Sequence, residues 1–170
     1  MSQQLARQLQ SLIPLATALL AVILDAMPLP FRGLDLLTAF FSLSVVYFWC
    51  LYRPDLMTPG AVFLTGIVYD SLVGMPLGLT ATVLLLVRYV VLSQQAFFLS
   101  APFLIVWLCF AVLAPLVEIL RWFLAVLWLG RLFDVTPALF QAGLTVAMYP
   151  VVSRLLIGVH DRIPKVLDAS

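Results

Sequence analysis

Ionisable side chains interrupt stretches of this chain that are otherwise apolar. Asp70 lies within GIVYDSLVGMPLG, residues 66–78, and Glu118 lies three residues before Arg121 in a longer apolar run. Because an ionisable group inside a membrane segment is costly unless it reaches water or a partner, each is a candidate for a functional site. Asp70 and Glu118 are the one pair of acids that could serve as general acid and general base from facing helices. Their spacing does not favour catalysis over an ion pair.

Three residues of this stretch share one helical face, because Gly66, Asp70 and Gly74 are each four apart. Small residues at this spacing let a neighbouring helix approach closely, which would bring a donor or a cation of that helix to Asp70. One interpretation is a polar binding site on an outer surface. The other is a lock between helices of the same chain, with Asp70 satisfied by Arg88, by Arg121 or by a hydroxyl group. Arg88 could instead extend to the cytoplasmic interface.

A turn follows at GMPLG, residues 74–78. Pro76 lacks a backbone N–H, and Gly74 or Gly78 can adopt a positive φ, so this GxxxG ends a helix rather than forming a dimerisation face. Pro76 and Gly78 are therefore assigned to a structural turn. The candidates for contact with a partner or a ligand are Gly66, Tyr69, Asp70, Gly74, Arg88, Glu118 and Arg121.

The composition indicates a membrane protein. Of 170 residues, 64% are hydrophobic and 10% are charged, with a mean hydropathy of +1.15, whereas about 25% of the residues of soluble domains are charged. We therefore expect an all-α integral membrane protein. A net charge of +1 without a basic cluster argues against nucleic acid as a partner. Cys50 and Cys109 lie in apolar runs without metal-ligand spacing, so we expect two small core residues, no metal site and no cofactor.

Six apolar stretches approach the roughly 20 helical residues that cross a bilayer. They predict a bundle of six transmembrane helices in a single polytopic domain, residues 1–170, with spans at about 12–27, 36–52, 59–73, 77–92, 102–128 and 137–157. The first span has no cleavage site after its polar start, so we expect it to remain uncleaved. Pro115 lies in the middle of the fifth, which predicts one kinked or strongly tilted helix. The fourth could extend into SQQAFF, residues 93–98, so five or seven spans remain open.

Basic residues predict the orientation of the helices, because short cytoplasmic loops carry an excess of Lys and Arg. The termini and even-numbered loops hold five such residues, Arg7, Arg53, Arg154, Arg162 and Lys165, and the odd-numbered loops hold two, Arg32 and Arg131. Both termini are therefore expected in the cytoplasm. In this topology the tail HDRIPKVLDAS, residues 160–170, and the loop YRPDLM, residues 52–57, face the cytoplasm. We expect their modest positive charge to set the orientation and to contact anionic lipid headgroups rather than to bind a protein.

The same orientation predicts where the buried charges meet. Asp25 would end the first helix on the outer side, near Arg32 and Asp35. The outer parts of later helices would hold Asp70, Glu118 and Arg121. Glu118 and Arg121 are three residues apart and could pair on one helical face. Acidic and basic groups are thus expected to converge on the external side of the bundle.

A glycine–aspartate–glycine pattern, Gly66-x-x-x-Asp70-x-x-x-Gly74-x-x-Leu77-Gly78, follows VYFWCLYRPDLMTPG at residues 46–60. Together with the small size, the helices along the whole length and the short basic tail, this pattern resembles the family of the bacterial rod shape-determining protein MreD. The resemblance implies a non-catalytic inner-membrane subunit of the machinery that builds the lateral cell wall. Such a subunit helps to organise peptidoglycan synthesis and rod shape.

In that family, MreD acts with the membrane-anchored MreC, the actin-like MreB, the glycosyltransferase RodA and a class B penicillin-binding protein. The resemblance also implies a fold similar to the S-components of vitamin importers, the substrate-binding subunits of ECF transporters, which use six helices. That likeness suggests an outward-facing cavity, where Asp70, Glu118 and Arg121 would lie.

Three functions stay open on the residues alone. A scaffold that binds the transmembrane helix of a partner is favoured by the apolar helices and the small-residue stripe. An S-component-like subunit of a small-molecule importer is favoured by the charges gathered on the outer side. An enzyme acting on a lipid-linked substrate would rest on Asp70 and Glu118 alone. The single histidine, His160, is expected in an exposed cytoplasmic tail, and no glycine motif for nucleotide binding is present.

Overall fold

The computed structural model describes residues 2–27, 39–132 and 134–160, with side chains from residue 12 onward. This part of the chain is all-helical, as predicted. Its seven helices are α1 (Ser2–Ala26), α2 (Phe41–Tyr52), α3 (Pro59–Val73), α4 (Leu79–Ser93), α5 (Gln95–Ser100), α6 (Phe103–Leu129) and α7 (Thr136–His160).

Each of the six predicted stretches corresponds to one helix; the third has the predicted bounds, and the ends of the others are shifted. The fifth is a single helix, α6, that continues through Pro115. The second was placed at 36–52, but α2 begins only at Phe41, and residues 36–38 lie outside the described part of the chain. Helix α1 already begins at Ser2. The short helix α5 lies where the fourth stretch could have extended, yet a turn at Gln94 separates it from α4.

Two helices of the described chain are long and apolar enough to cross a membrane, α6 with 27 residues and α7 with 25. Four apolar helical segments are shorter, namely Leu12–Ala26, Phe41–Tyr52, Pro59–Val73 and Leu79–Ser93. At about 1.5 Å per residue, the 12 residues of α2 extend about 18 Å, which is less than the roughly 30 Å of a bilayer's hydrocarbon. A bundle with six membrane-spanning helices therefore remains a prediction.

Helix α2 lies at the centre of the packing. Ser42–Leu51 are all buried, and the helix packs against α1, α4, α5 and α7. A helix that is apolar on every side is stable where other helices surround it. Two aromatic side chains of α2 also donate hydrogen bonds to its neighbours. Trp49 Nε1 lies 2.9 Å from Thr17 Oγ1, and Tyr47 OH lies 3.2 Å from the carbonyl oxygen of Val106.

Large apolar side chains cover the outside of the helices as well. On α6, the exposed ones include Leu108, Val112, Leu116, Phe123 and Leu127. So much exposed apolar surface is unfavourable in water and is expected where lipid surrounds the helices. Polar groups lie inside instead. The buried polar and charged residues are Asp25, Ser42, Ser44, Thr65, Asp70, Thr80, Glu118, Arg121, Thr145 and Ser153.

Candidate functional site

Asp70 lies in the last turn of α3 and caps the beginning of α4. One carboxylate oxygen accepts a hydrogen bond from Gly78 N at 2.9 Å, and Thr80 N lies 3.1 Å from each of the two oxygens. The residue is 0% exposed. The first N–H groups of a helix have no acceptor within it, and the helix dipole favours a negative charge at that end. Asp70 therefore satisfies backbone donors that would otherwise be buried without a partner.

The turn between α3 and α4 brings these donors to the carboxylate. Gly74 and Gly78 have φ values of +73° and +94°, a region that L side chains rarely adopt. The backbone N–H groups of Gly74 and Met75 both bond back to the carbonyl oxygen of Asp70, which ends α3. The helix break expected around Pro76 is thus confirmed, and both glycines take a positive φ.

Gly66 is where α4 approaches α3 most tightly. A Cβ atom added at Gly66 would lie 2.2 Å from the Cα of Ala81 and 2.5 Å from its nitrogen. The close approach expected from the small-residue stripe is therefore confirmed at Gly66. It is wrong at Gly74, where an added Cβ would meet nothing within 4 Å. Gly74 ends the helix instead of contacting a neighbouring one.

Arg88 does not bind Asp70, which excludes one of the two positions that the sequence left open for it. Its Nη1 donates to the carbonyl oxygen of Met57 and lies 3.5 Å from that of Pro54. The acceptors belong to the connection between α2 and α3, so Arg88 holds that connection against α4. The other position, an extension towards the cytoplasmic interface, stays a prediction.

Glu118 and Arg121 form a buried ion pair on α6, which confirms the pairing expected from their spacing. Arg121 Nη1 lies 3.1 Å from each carboxylate oxygen of Glu118, and Nη2 donates to Tyr69 OH at 3.0 Å. The guanidinium also stacks on aromatic rings, with its Cζ 4.3 Å from the ring centre of Phe40 and 4.9 Å from that of Tyr69. Its Nε is buried and has no hydrogen-bond partner among the described residues. The pair is thus held by α3 and by the residue before α2.

Asp25, at the end of α1, caps the beginning of α2. Its Oδ1 accepts from Phe41 N at 2.7 Å, and its Oδ2 accepts from Ser42 N at 3.0 Å and from Ser42 Oγ at 2.5 Å. The neighbours expected from the sequence, Arg32 and Asp35, lie outside the described residues. Asp25 therefore has the same relation to α2 that Asp70 has to α4.

A cavity of about 480 Å³ brings several of these groups together. It is lined by Asp25, Tyr69, Val73, Met75, Leu79, Glu118, Arg121, Trp122, Ala125, Leu129, Asp134, Pro137, Ala138 and Gln141. Asp25, Glu118 and Arg121 thus meet at one cavity, as expected, and its position on the external side of the bundle stays a prediction. Asp70 is not part of the lining, so the structure brings Glu118 to the cavity with Asp25 rather than with Asp70.

Asp134 lies at the end of the cavity where α7 begins. Its Oδ1 accepts hydrogen bonds from Thr136 N at 2.9 Å and from Thr136 Oγ1 at 2.7 Å. These two bonds lower the pKa of Asp134 below its ordinary value, so its carboxylate is charged at neutral pH. The position adds an exposed negative charge to the cavity.

The sequence does not indicate Asp25 as a helix cap, Gln141 in the cavity lining, or Phe40 as the stacking partner of Arg121 beside it. Their contacts join segments far apart in the chain, and no local spacing indicates them. For Asp134 a signal exists, because an acid followed by Thr136 and Pro137 is a typical helix start.

His160 is the last residue of α7 rather than part of an exposed tail. It is half-buried, with its ring 6.1 Å from that of Trp49 and 6.4 Å from that of Tyr52. Cys50 is buried and Cys109 is half-buried. Within the described ranges, no group of three or more His, Cys, Asp or Glu side chains could hold a metal ion.

Comparison with known proteins gives one match. The family model of the rod shape-determining protein MreD matches residues 6–159. No curated protein and no solved structure has a significant match to the chain. The matched segment contains the whole of α2 to α6, most of α1 and all of α7 except its last residue.

Proposed function

This chain belongs to the MreD family of rod shape-determining membrane proteins, and from that premise we propose that it is a non-catalytic subunit of the bacterial cell-elongation complex. In this proposal it is a single polytopic domain in the inner membrane with both termini in the cytoplasm. It binds a membrane-anchored MreC-type partner and thereby helps to organise lateral peptidoglycan synthesis. MreB, RodA and a class B penicillin-binding protein would join through the same assembly.

The observation that carries this proposal is the family match along residues 6–159. The distribution of polarity is consistent with it. The described helices are apolar on the outside, and their buried carboxylates are bound to helix starts or to an arginine. A subunit that acts by contact with other membrane helices needs a stable bundle and an apolar exterior, and it needs no reactive group.

Tyr69, Asp70 and Arg88, the polar candidates of α3 and α4, all bind groups of the protein itself. We therefore look for the surface that contacts a partner on another helix. Ala81 of α4 occupies the space beside Gly66, and the backbone at the start of α4 donates hydrogen bonds to Asp70. We infer that the partner's transmembrane helix packs on the outer face of α7, in a groove of about 500 Å³ lined by Leu139, Phe140, Gly143, Leu144 and Ala147. Gly143 and Ala147 are four residues apart and exposed, an arrangement that allows two helix backbones to approach closely.

Gly143→Leu tests this surface against a matched control on the same helix. A Cβ added at Gly143 or at Gly158 meets nothing within 4 Å, and both glycines are exposed. Leucine therefore fits at either position, with the same gain in helix propensity. Tagged variants would be purified from native membranes in mild detergent at matched expression, and the co-purified MreC-type partner would be quantified.

We expect Gly158→Leu to retain the partner and Gly143→Leu to lose most of it. Equal retention by both variants would exclude the α7 groove as the interface. Absence of any stoichiometric membrane partner from the wild-type preparation would contradict the scaffold function itself.

One observation favours a second candidate, an S-component-like subunit of a small-molecule importer. The cavity of about 480 Å³ has mixed polar and apolar walls, as binding sites for small molecules do. A purified protein that co-purifies with an energising transport subunit, instead of an MreC-type partner, would support this alternative.

A further inference from the structure

The cavity has the dimensions and walls of a ligand site. Its volume of about 480 Å³ lies within the roughly 300–1,000 Å³ of small-molecule sites, which combine apolar walls with a few polar groups. The apolar part of the lining consists of Val73, Met75, Leu79, Ala125, Leu129, Pro137 and Ala138. An occupant must therefore have an apolar portion.

The charged part of the lining is acidic in sum. The carboxylates of Asp25, Glu118 and Asp134 share the cavity with one guanidinium, that of Arg121. Two of these carboxylates are already bound, Asp25 by the start of α2 and Glu118 by Arg121. Asp134 is exposed and adds a negative charge that no other cation of the lining balances. This charge attracts an ammonium group and repels a purely anionic ligand. The lining therefore favours a ligand with a positive charge.

The same wall also has hydrogen-bond donors for an oxygen atom. Tyr69 OH accepts from Arg121 Nη2, and Arg121 Nε has no hydrogen-bond partner among the described residues. Gln141 adds a side-chain amide to the lining. A ligand oxygen beside Tyr69 and Arg121 would use donors that the fold leaves partly unsatisfied. Positive charge and acceptor oxygen together describe a zwitterion.

The cavity extends inward from the ends of two helices. Met75 and Asp134, from the connections that follow α3 and α6, line one end of it. Arg121 lies eight residues before Leu129 on α6, which is about 12 Å along the helix. In a membrane protein, helix ends lie near the boundary between headgroups and hydrocarbon. A ligand that reaches Arg121 from that end must therefore extend about 12 Å inward.

We propose that this cavity binds a zwitterionic ammonium–phosphate headgroup of the phosphoethanolamine type. The ammonium group faces the carboxylates of Glu118 and Asp134, and the phosphate oxygens face Arg121 and Tyr69. The molecule is supplied either as a phospholipid of the bilayer or as a soluble compound with the same headgroup. This ligand site goes beyond the scaffold function and does not depend on the α7 groove.

Native mass spectrometry of the purified protein tests the proposal. The probes are phosphatidylethanolamine, phosphatidylglycerol with the same acyl chains, and soluble glycerophosphoethanolamine. We expect one phosphatidylethanolamine per chain and about a tenfold preference over phosphatidylglycerol. Binding of glycerophosphoethanolamine alone would identify a soluble source, and binding of the lipid alone would identify the bilayer. Equal retention of both lipids, or retention of no ethanolamine probe, would overturn the proposal.

Two variants with the same substitution separate the cavity from the outer surface. Ala138 lines the cavity, whereas Ala147 lines the α7 groove; nine residues at about 100° each place them on opposite faces of the helix. We expect Ala138→Phe to abolish binding of the ethanolamine probe and Ala147→Phe to leave it unchanged. Unchanged binding in Ala138→Phe would overturn the site.

If Ala138→Phe does not fold, Asp134→Asn provides the test, because Asp134 is exposed. This variant is expected to reduce the preference for phosphatidylethanolamine over phosphatidylglycerol several-fold, and an unchanged preference would overturn the proposal. The partner measured in the same preparations distinguishes the two hypotheses. Loss of the lipid with the partner retained is expected for Ala138→Phe, and the reverse for Ala147→Phe.

Discussion

Two parts of the protein place a carboxylate inside an apolar bundle, and they stabilise it differently. In the hairpin of α3 and α4, the carboxylate oxygens of Asp70 accept hydrogen bonds from the backbone N–H groups of Gly78 and Thr80, and Asp70 is 0% exposed. At the cavity, Glu118 is paired with a side chain, Arg121, which reaches α3 through Tyr69. In the hairpin, the carboxylate and its donors belong to the same two helices and their connection, whereas at the cavity the ion pair lies beside a volume that a ligand can occupy.

The difference indicates which buried charge only stabilises the fold and which can also contact a ligand. A carboxylate whose acceptors are all occupied by a helix start has little left for a ligand, and it fixes the local fold. An ion pair at a cavity wall can retain its partner and still present donors or charge to a bound molecule. Asp70 thus belongs to the first kind and the group around Arg121 to the second.

The largest effect is expected when the ion pair loses one partner. Glu118→Met leaves the guanidinium of Arg121 buried without its counter-charge, which costs about 3–5 kcal/mol of the free energy of unfolding. The double variant Glu118→Met with Arg121→Met removes both charges and is expected to be more stable than the single variant. Denaturant titration in detergent measures both. If the double variant is the less stable one, the ion pair is a stronger stabilising contact than this account holds.

A smaller loss is expected at the cap of α4. Asp70→Ala leaves the N–H groups of Gly78 and Thr80 buried without acceptors, at a cost of about 2–3 kcal/mol. Asp70→Asn keeps one acceptor oxygen and is expected to cost less. The ranking of the two variants by thermal unfolding checks the capping role. Equal destabilisation would show that the negative charge, rather than the acceptor, matters at this position.

Gly66→Ala tests the packing of α3 against α4. Its new Cβ would lie 2.2 Å from the backbone of Ala81, so α3 and α4 must move apart, at a cost of about 1–3 kcal/mol. Gly143→Ala is the matched control, because nothing lies within 4 Å of a Cβ added there. Thermal unfolding of both variants gives the comparison. A stable Gly66→Ala variant would show that the two helices are less tightly packed than described.

The helices and one ion pair could be predicted from the sequence, because both follow from spacing along a single helix. Hydropathy indicates six of the seven helices of the described chain, and a separation of three residues indicates the pair of Glu118 and Arg121. The partner of Asp70 was predicted incorrectly, since the pattern of small residues shows that a helix is near and does not show which group of it meets the carboxylate. The backbone N–H groups of Gly78 and Thr80 bind the carboxylate of Asp70, which has no cation as a partner among the described residues.

The cavity could be predicted only in part. The charges were expected to converge, but the contact of Asp25 with α2 and the stacking of Phe40 on Arg121 depend on how distant helices pack. The start of α2 also differs from the prediction: the helix begins at Phe41, and the N–H of Phe40 just before it donates to Thr145 Oγ1 at 2.7 Å. Such contacts across 105 residues have no counterpart in local sequence patterns.

Partner binding per folded molecule, compared between Asp70→Asn and Gly143→Leu, tests the central claim most directly. In this account Asp70 maintains the hairpin, and the α7 groove binds an MreC-type helix. Asp70→Asn is therefore expected to lower the unfolding temperature while the folded fraction retains the partner. Gly143→Leu is expected to keep the unfolding temperature and lose the partner. Loss of the partner in folded Asp70→Asn, with full retention in Gly143→Leu, would contradict the account and place the interface at α3 and α4.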